Sequence, residues 1–187
     1  MQTLTLEGGF AQPAEDAARA FRAIMESVAR PGTIRRLQGA QPPRPRSQAA
    51  GAAILTLCDG DTPVFLAGVV DCQAVRDWIA FHTGAPFCTA AEATFAAGSW
   101  NDLQPLSAYP VGTPEYPNRS ATLIADLPRL APVGVTLTGP GIKTTSHLSR
   151  PEAACFQTNH GLLPVGLDFL FTCDDLIAAV PRSAEVC

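Results

Sequence analysis

At 187 residues, with 47% of them hydrophobic and only 16% charged, the chain is sized for one domain with one sizeable core and is too apolar to be disordered. Its net charge of −4 argues against a nucleic-acid surface, which needs clustered positive charge. No apolar stretch reaches the roughly 18–20 residues of a membrane span, and the alternating start from Gln2 to Leu6 is too short for a secretory leader, so a soluble, cytoplasmic protein is expected.

The first predicted element is a helix beginning near Pro13, with Glu15 and Asp16 in its first turn, where the helix dipole favours negative charge. Phe21, Ile24, Met25 and Val28 recur at helical spacing and are expected to form its buried stripe. Arg19, Arg22, Glu26 and Arg30 line another face at three- and four-residue steps. That face reads either as a solvated charge ladder or as an arginine surface for a partner or an anion. Pro31 and Gly32 end the helix, and a strand can follow over 33–37.

The run Gln41-Pro42-Pro43-Arg44-Pro45-Arg46 is expected to be an exposed, partly polyproline-like loop. Ser47 can cap a small-sided helix over 49–57. Asp59-Gly60-Asp61-Thr62 reads as a turn and 63–67 as a buried strand. Asp71 is the expected cap of the next helix, with Val75, Trp78, Ile79 and His82 on one face and Gly84 past its end. A short strand is expected over 94–97, and 99–120 is broken by Pro105, Pro110, Pro114 and Pro117. Residues 120–125 and 133–138 read as core strands, the second closed by the sharp Gly139-Pro140-Gly141 turn. Pro151 can open a helix reaching about Asn159, 167–172 is a further buried strand, and Asp174 or Asp175 is expected to cap a last short helix before Pro181. Helices alternating with apolar strands indicate an α/β layered domain.

None of the chemistry-bearing motifs is complete. Leu137-Thr138-Gly139-Pro140-Gly141-Ile142 has the look of a glycine cradle for an anion, but neither the Walker pattern nor the dinucleotide fingerprint is present, and a tight turn needing glycine explains it as well. Lys143 is the only lysine beside twelve arginines, and its polar, loop-like neighbours Thr144, Thr145, Ser146 and His147 do not suit a Schiff base. The arginine bias reflects either base composition or a preference for bidentate anion contacts. Cys72, His82 and Cys88 match no zinc module, and His147 and His160 stand apart, so no metal is expected. Asp59 and Asp61 are read as turn-forming side chains. No Gly-x-Ser-x-Gly elbow is present, and six cysteines without a CxxC pair read as reduced, mostly buried thiols, with Cys187 at the terminus.

Taken in order, these blocks resemble one family along nearly the whole chain. They run from Phe21-Arg22 through Arg30-Pro31-Gly32, then Leu57-Cys58-Asp59-Gly60-Asp61-Thr62-Pro63-Val64 and Phe81-His82-Thr83-Gly84-Ala85-Pro86. Ala121-Thr122-Leu123-Ile124, the Leu137 to Ile142 turn, Leu163-Pro164-Val165-Gly166-Leu167-Asp168, Pro181-Arg182 and Glu185-Val186-Cys187 complete the set. The family is PhnH, the H subunit of the bacterial carbon–phosphorus lyase system.

The resemblance implies one domain over 1–187, an α/β layered sandwich around a mixed sheet, similar to the large domain of pyridoxal-phosphate (PLP) transferases but without PLP. It implies an accessory or structural subunit of the carbon–phosphorus lyase core complex. That complex is needed to form ribose 1-methylphosphonate 5-triphosphate from MgATP and a phosphonate. It implies G, I and J subunits as partners, cooperation with the G, I and L subunits in displacing adenine from MgATP, and a homodimer when isolated. No catalytic, cofactor or metal residue is carried over, and none is assigned. The alternative is a phosphonate- or nucleotide-binding enzyme in its own right, for which Arg22, Arg30, Gly139 and Gly141 are the candidate anion or partner surface.

Overall fold

A computed structural model describes residues 6–149 and 153–187. Its centre is a six-stranded sheet, built in chain order from β1 (Arg35–Arg36), β2 (Val64–Leu66), β3 (Phe95–Ser99), β4 (Thr122–Asp126), β7 (Asp168–Cys173) and β8 (Leu176–Val180). The spatial order is β1-β8-β7-β4-β3-β2. Strands β2, β3, β4 and β7 pair in parallel, whereas β8 runs antiparallel to both β7 and β1. The alternating register sorts side chains to two faces. Ile124, Leu170 and Ile177 go to one core, and Leu123, Phe169, Phe171 and Ala178 to the other. Both faces are covered, so the central strands read as continuous apolar runs rather than alternating ones.

On the first face lie α1 (Pro13–Ala29), α2 (Gln48–Leu57) and α3 (Gln73–Thr83). On the second lie α4 (Ala153–His160) and a small antiparallel sheet, β5 (Val135–Thr138) flanked by β6 (Ser146–Leu148) and β9 (Glu185–Val186). An aromatic cluster fills that second core: Phe156 meets Phe169 edge-on at 4.8 Å between ring centroids and stacks on Trp100 at 5.3 Å. The result is a layered α/β sandwich around a mixed sheet, as the alternation of elements implies. Among the described residues no helix is long and apolar enough to cross a membrane.

Several local readings hold. The helix α1 starts at Pro13 with Glu15 and Asp16 in its first turn. Ser47 caps α2 by accepting the Ala50 N–H at 3.1 Å. Gly84 ends α3 in a left-handed conformation, φ 69°, where the missing Cβ removes a steric penalty. Asp59 Oδ1 accepts from the Asp61 N–H and the Thr62 hydroxyl, which makes it a turn former and holds its carboxyl below the usual range.

Four readings are corrected. The buried side of α1 is Ala20, Ile24 and Ser27, while Phe21, Met25 and Val28 are 50%, 48% and 37% exposed. The reason is steric. The partner α2 presents Ala49, Ala50, Ala52 and Ala53, fully buried, and two small-sided helices approach closely only if the small faces meet. The segment 174–180 is not a capped helix. Asp174, at φ 50°, and Asp175 turn the chain into β8, which pairs with β7. Asparagine and aspartate tolerate that left-handed region better than other side chains. The cap of α3 is Cys72, one residue later than expected, because Asp71 instead pairs with Arg76. The polar run before β6 leads into a strand, as Thr136 pairs with His147. The expected helix opening at Pro151 lies outside the described residues; α4 is described from Ala153.

The proline-rich loop also departs from expectation. Arg46 is buried, and Pro42 lies against Gly51 of α2 so closely that any Cβ there would collide with the proline ring. Only Cys58 of the six thiols is fully buried; four are half-buried and Cys187 is exposed.

Candidate functional site

Helix α1 and the glycine turn carry the four residues singled out from the sequence. Gly141, at φ 82°, packs on the end of α1, where a Cβ would collide with the carbonyl of Ala29. Gly139, at φ 116°, is less crowded, with a Cβ there coming to 3.0 Å from the carbonyl of Ser183. These contacts bring the turn beside Arg30, the residue just past the end of the helix. Arg22 stands eight residues earlier, about 12 Å along the axis at 1.5 Å per residue, so one small ligand does not bridge Arg22 and the turn. The helix end there presents carbonyl oxygens and the negative end of its dipole, which opposes an anion. Arg22 and Arg30 are exposed and, among the described residues, form no ion pair. Arg19 pairs with Asp16 at 2.6 Å and Glu26 with Arg35 at 2.9 Å.

The histidines do not converge. His82 sits edge-on between Trp78 and Phe81, at 5.1 and 5.0 Å between centroids, with Gly9 against its ring and, among the described residues, no hydrogen bond to Nε2. His160 contacts the Arg182 carbonyl at 2.9 Å through Nδ1. Lys143 is exposed, which is the wrong environment for a lysine that must be desolvated to react. Burial pushes the Cys58 thiol up to about 12, with the Asp59 charge adding to it. Among the described residues no three His, Cys, Asp or Glu side chains are placed to hold a metal ion.

Two arginine–aspartate pairs stand one at each end of the parallel strands. Asp168 opens β7 and faces Arg182, just beyond β8. The Arg182 guanidinium donates to both Asp168 oxygens, to the Ser120 hydroxyl and, from Nη1, to the Pro117 carbonyl at 2.8 Å. The Arg182 N–H adds a bond to Asp168 Oδ1 at 2.8 Å. Such a fork satisfied on every side ties β7, β8 and the segment before β4 together.

At the opposite, carboxyl end of β4, Asp126 faces Arg46. Nη1 of Arg46 lies 3.1 Å from Asp126 Oδ2, and the arginine side chain is 0% exposed. The alignment does not make a hydrogen bond: among the described residues, Arg46 Nε, Nη1 and Nη2 and Asp126 Oδ2 are all buried without one. Asp126 Oδ1 is occupied by the Thr172 hydroxyl at 2.6 Å. Burial lowers the Arg46 pKa, and Asp126 only partly opposes that effect. The pair lines a cleft of about 710 Å³ whose walls come from 41–48, 126–128 and 173–175. Sequence reasoning missed both residues. The available signal was an arginine directly before a serine cap, and an aspartate closing an apolar strand.

Comparison with known proteins supplies the context for this geometry. The family described as bacterial phosphonate metabolism protein (PhnH) matches residues 8–187. A curated relative from Rhizobium meliloti (strain 1021), α-D-ribose 1-methylphosphonate 5-triphosphate synthase subunit PhnH, is 36% identical over 195 residues, covering 99% of this chain and 97% of its own. A match of that length spans both faces of the sheet. The chain belongs to the PhnH family of bacterial phosphonate metabolism proteins.

Proposed function

We propose that this chain acts as an accessory subunit of an α-D-ribose 1-methylphosphonate 5-triphosphate synthase in phosphonate catabolism, and that its own contribution is assembly rather than a complete catalytic site. The relative's role supports this reading. The observation that carries it is the outer face of α1, where Phe21, Met25 and Val28 stand exposed in one stripe beside Arg22 and Arg30. A large apolar stripe left in water on a small domain marks a protein contact, and arginine is enriched at such contacts. In this reading the chain is cytoplasmic. Its partners are the G, I and J subunits of the carbon–phosphorus lyase core, and isolated chains pair with each other.

Co-expression with the G, I and J subunits tests the proposal. The parent chain co-purifies with them, and Phe21→Asp with Met25→Asp abolishes co-purification while the far-ultraviolet spectrum stays unchanged. A parent chain that remains monomeric and leaves the other subunits behind overturns it. A stable contact requires at least about 1,000 Å² of total buried surface, so the α1 stripe is the centre of a larger patch.

A further inference from the structure

We propose that the cleft at the carboxyl end of β4 and β7 is a binding site for a phosphate or phosphonate oxyanion, with Arg46 as its buried cation. Three observations lead there. The first is an imbalance of partners: among the described residues, three guanidinium nitrogens of Arg46 lack hydrogen bonds, against one orphaned acceptor, Asp126 Oδ2. Buried polar groups in folded proteins are nearly always satisfied, so this end of the molecule lacks acceptors rather than donors. An acceptor-rich, planar-fork partner for arginine is a tetrahedral oxyanion or a carboxylate, and the fork binds either through two parallel bonds.

The second observation is position. The cleft lies outside the carboxyl ends of parallel strands, where open α/β sheets bind ligands. The third is the first turn of α2, a 10-residue helix capped by Ser47 next to Arg46. Its dipole adds positive potential at the cleft wall. The N–H groups of Ala49 and Ala50 are already taken by the Asp174 carbonyl and by Ser47 Oγ. Direct contacts therefore centre on Arg46, with exposed Gln48 and Arg44 at the rim. The other acids do not cancel this arrangement: Asp175 is engaged by Arg36 at 2.7 Å and by Gln38 at 2.6 Å, and Asp174 is exposed at the rim. Binding exchanges the misaligned Asp126 contact of Arg46 for a ligand oxygen.

The choice of probes rests on the synthase reading, whereas the site rests on the geometry. Methylphosphonate, inorganic phosphate and MgATP are titrated separately into the full-length chain by calorimetry at about 0.15 M salt. Saturable heat with methylphosphonate or phosphate identifies a free oxyanion, and heat with MgATP alone identifies a nucleotide phosphate; either supports the site. Arg46→Gln weakens binding about tenfold or more, and Arg44→Gln weakens it a few-fold. Asp126→Asn strengthens it several-fold, because it removes the competing carboxylate while keeping an amide oxygen for the arginine. A purely structural pair gives the opposite sign for Asp126→Asn.

If Arg46→Gln does not fold, Arg46→Met combined with Asp126→Leu carries the same test, since a matched apolar pair restores packing. The proposal is overturned if none of the three probes binds the chain alone or the co-purified complex, or if Asp126→Asn weakens binding as Arg46→Gln does. Co-purification is scored on the same preparations. A chain that assembles but binds nothing ends the cleft proposal and leaves the subunit reading standing; one that binds but does not assemble does the reverse.

Discussion

The two arginine–aspartate pairs sit at opposite ends of the same parallel strands and are built to different standards. Arg182 reaches Asp168, Ser120 and the Pro117 carbonyl, and the contact closes a seam between β7, β8 and the segment leading into β4. Arg46 is more deeply buried and has only a misaligned Asp126. Desolvating a guanidinium costs several kcal/mol, which good geometry offsets and poor geometry does not. A satisfied pair at one end and an unsatisfied pair at the other separate what holds the sheet together from what is poised to meet something else.

The contrast can be broken most forcefully at Asp126. Asp126→Leu strands the Arg46 charge in the interior, and denaturant unfolding is expected to show a loss of about 3–5 kcal/mol. Arg182→Ala removes several bonds but leaves groups closer to solvent, so a loss of about 2–3 kcal/mol is expected in the same assay. Replacing both partners sharpens the difference. Arg46→Met with Asp126→Leu returns to within about 1 kcal/mol of the parent, because the only other group that leans on the pair is the Thr172 hydroxyl, and it keeps the Ala125 carbonyl within reach at 3.5 Å. Arg182→Met with Asp168→Leu stays about 1–2 kcal/mol below the parent, because the Pro117 carbonyl and Ser120 lose their donor.

The smallest effect is kinetic. Cys173 lines the cleft, and its thiol is pushed up by burial first and then by the Asp174 charge. Alkylation near pH 8 is therefore expected to label exposed Cys187 before Cys173, with the gap narrowing as the pH rises past the ordinary thiol value of about 9. Equal rates at pH 8 would show that the cleft wall is open to water.

What the chain discloses in advance depends on how local the cause is. The alternation of helices and apolar strands, the Ser47 cap and the Gly84 stop are decided within a few residues, and all are legible. The orientation of α1 is not, because Phe21, Met25 and Val28 satisfy the same periodicity as Ala20, Ile24 and Ser27. Only the alanine face of α2 decides which set turns inward. The run Leu176 to Val180 is short enough to suit either a helix or a strand, and the choice is made by pairing with β7. The family blocks reveal the system in which the chain works. The cleft stays hidden because Arg46 looked like part of a solvated loop, and its burial depends on Pro42 seating on Gly51 and on a strand end far along the chain.

The assembly of the cleft from 41–48, 126–128 and 173–175 has a consequence for folding order. The pairing of β4 with β7 joins 126–128 to 173–175, and the 41–48 wall is attached by the pairing of β1 with β8 and by the Ala49 N–H on the Asp174 carbonyl, contacts of long sequence separation that are slow to close. Until those ladders zip, Arg46 is an ordinary hydrated side chain with no neighbour to lack. The unsatisfied arginine thus exists only once these long-range contacts are made, and anything captured there holds only folded molecules, raising their stability in proportion to the logarithm of its concentration.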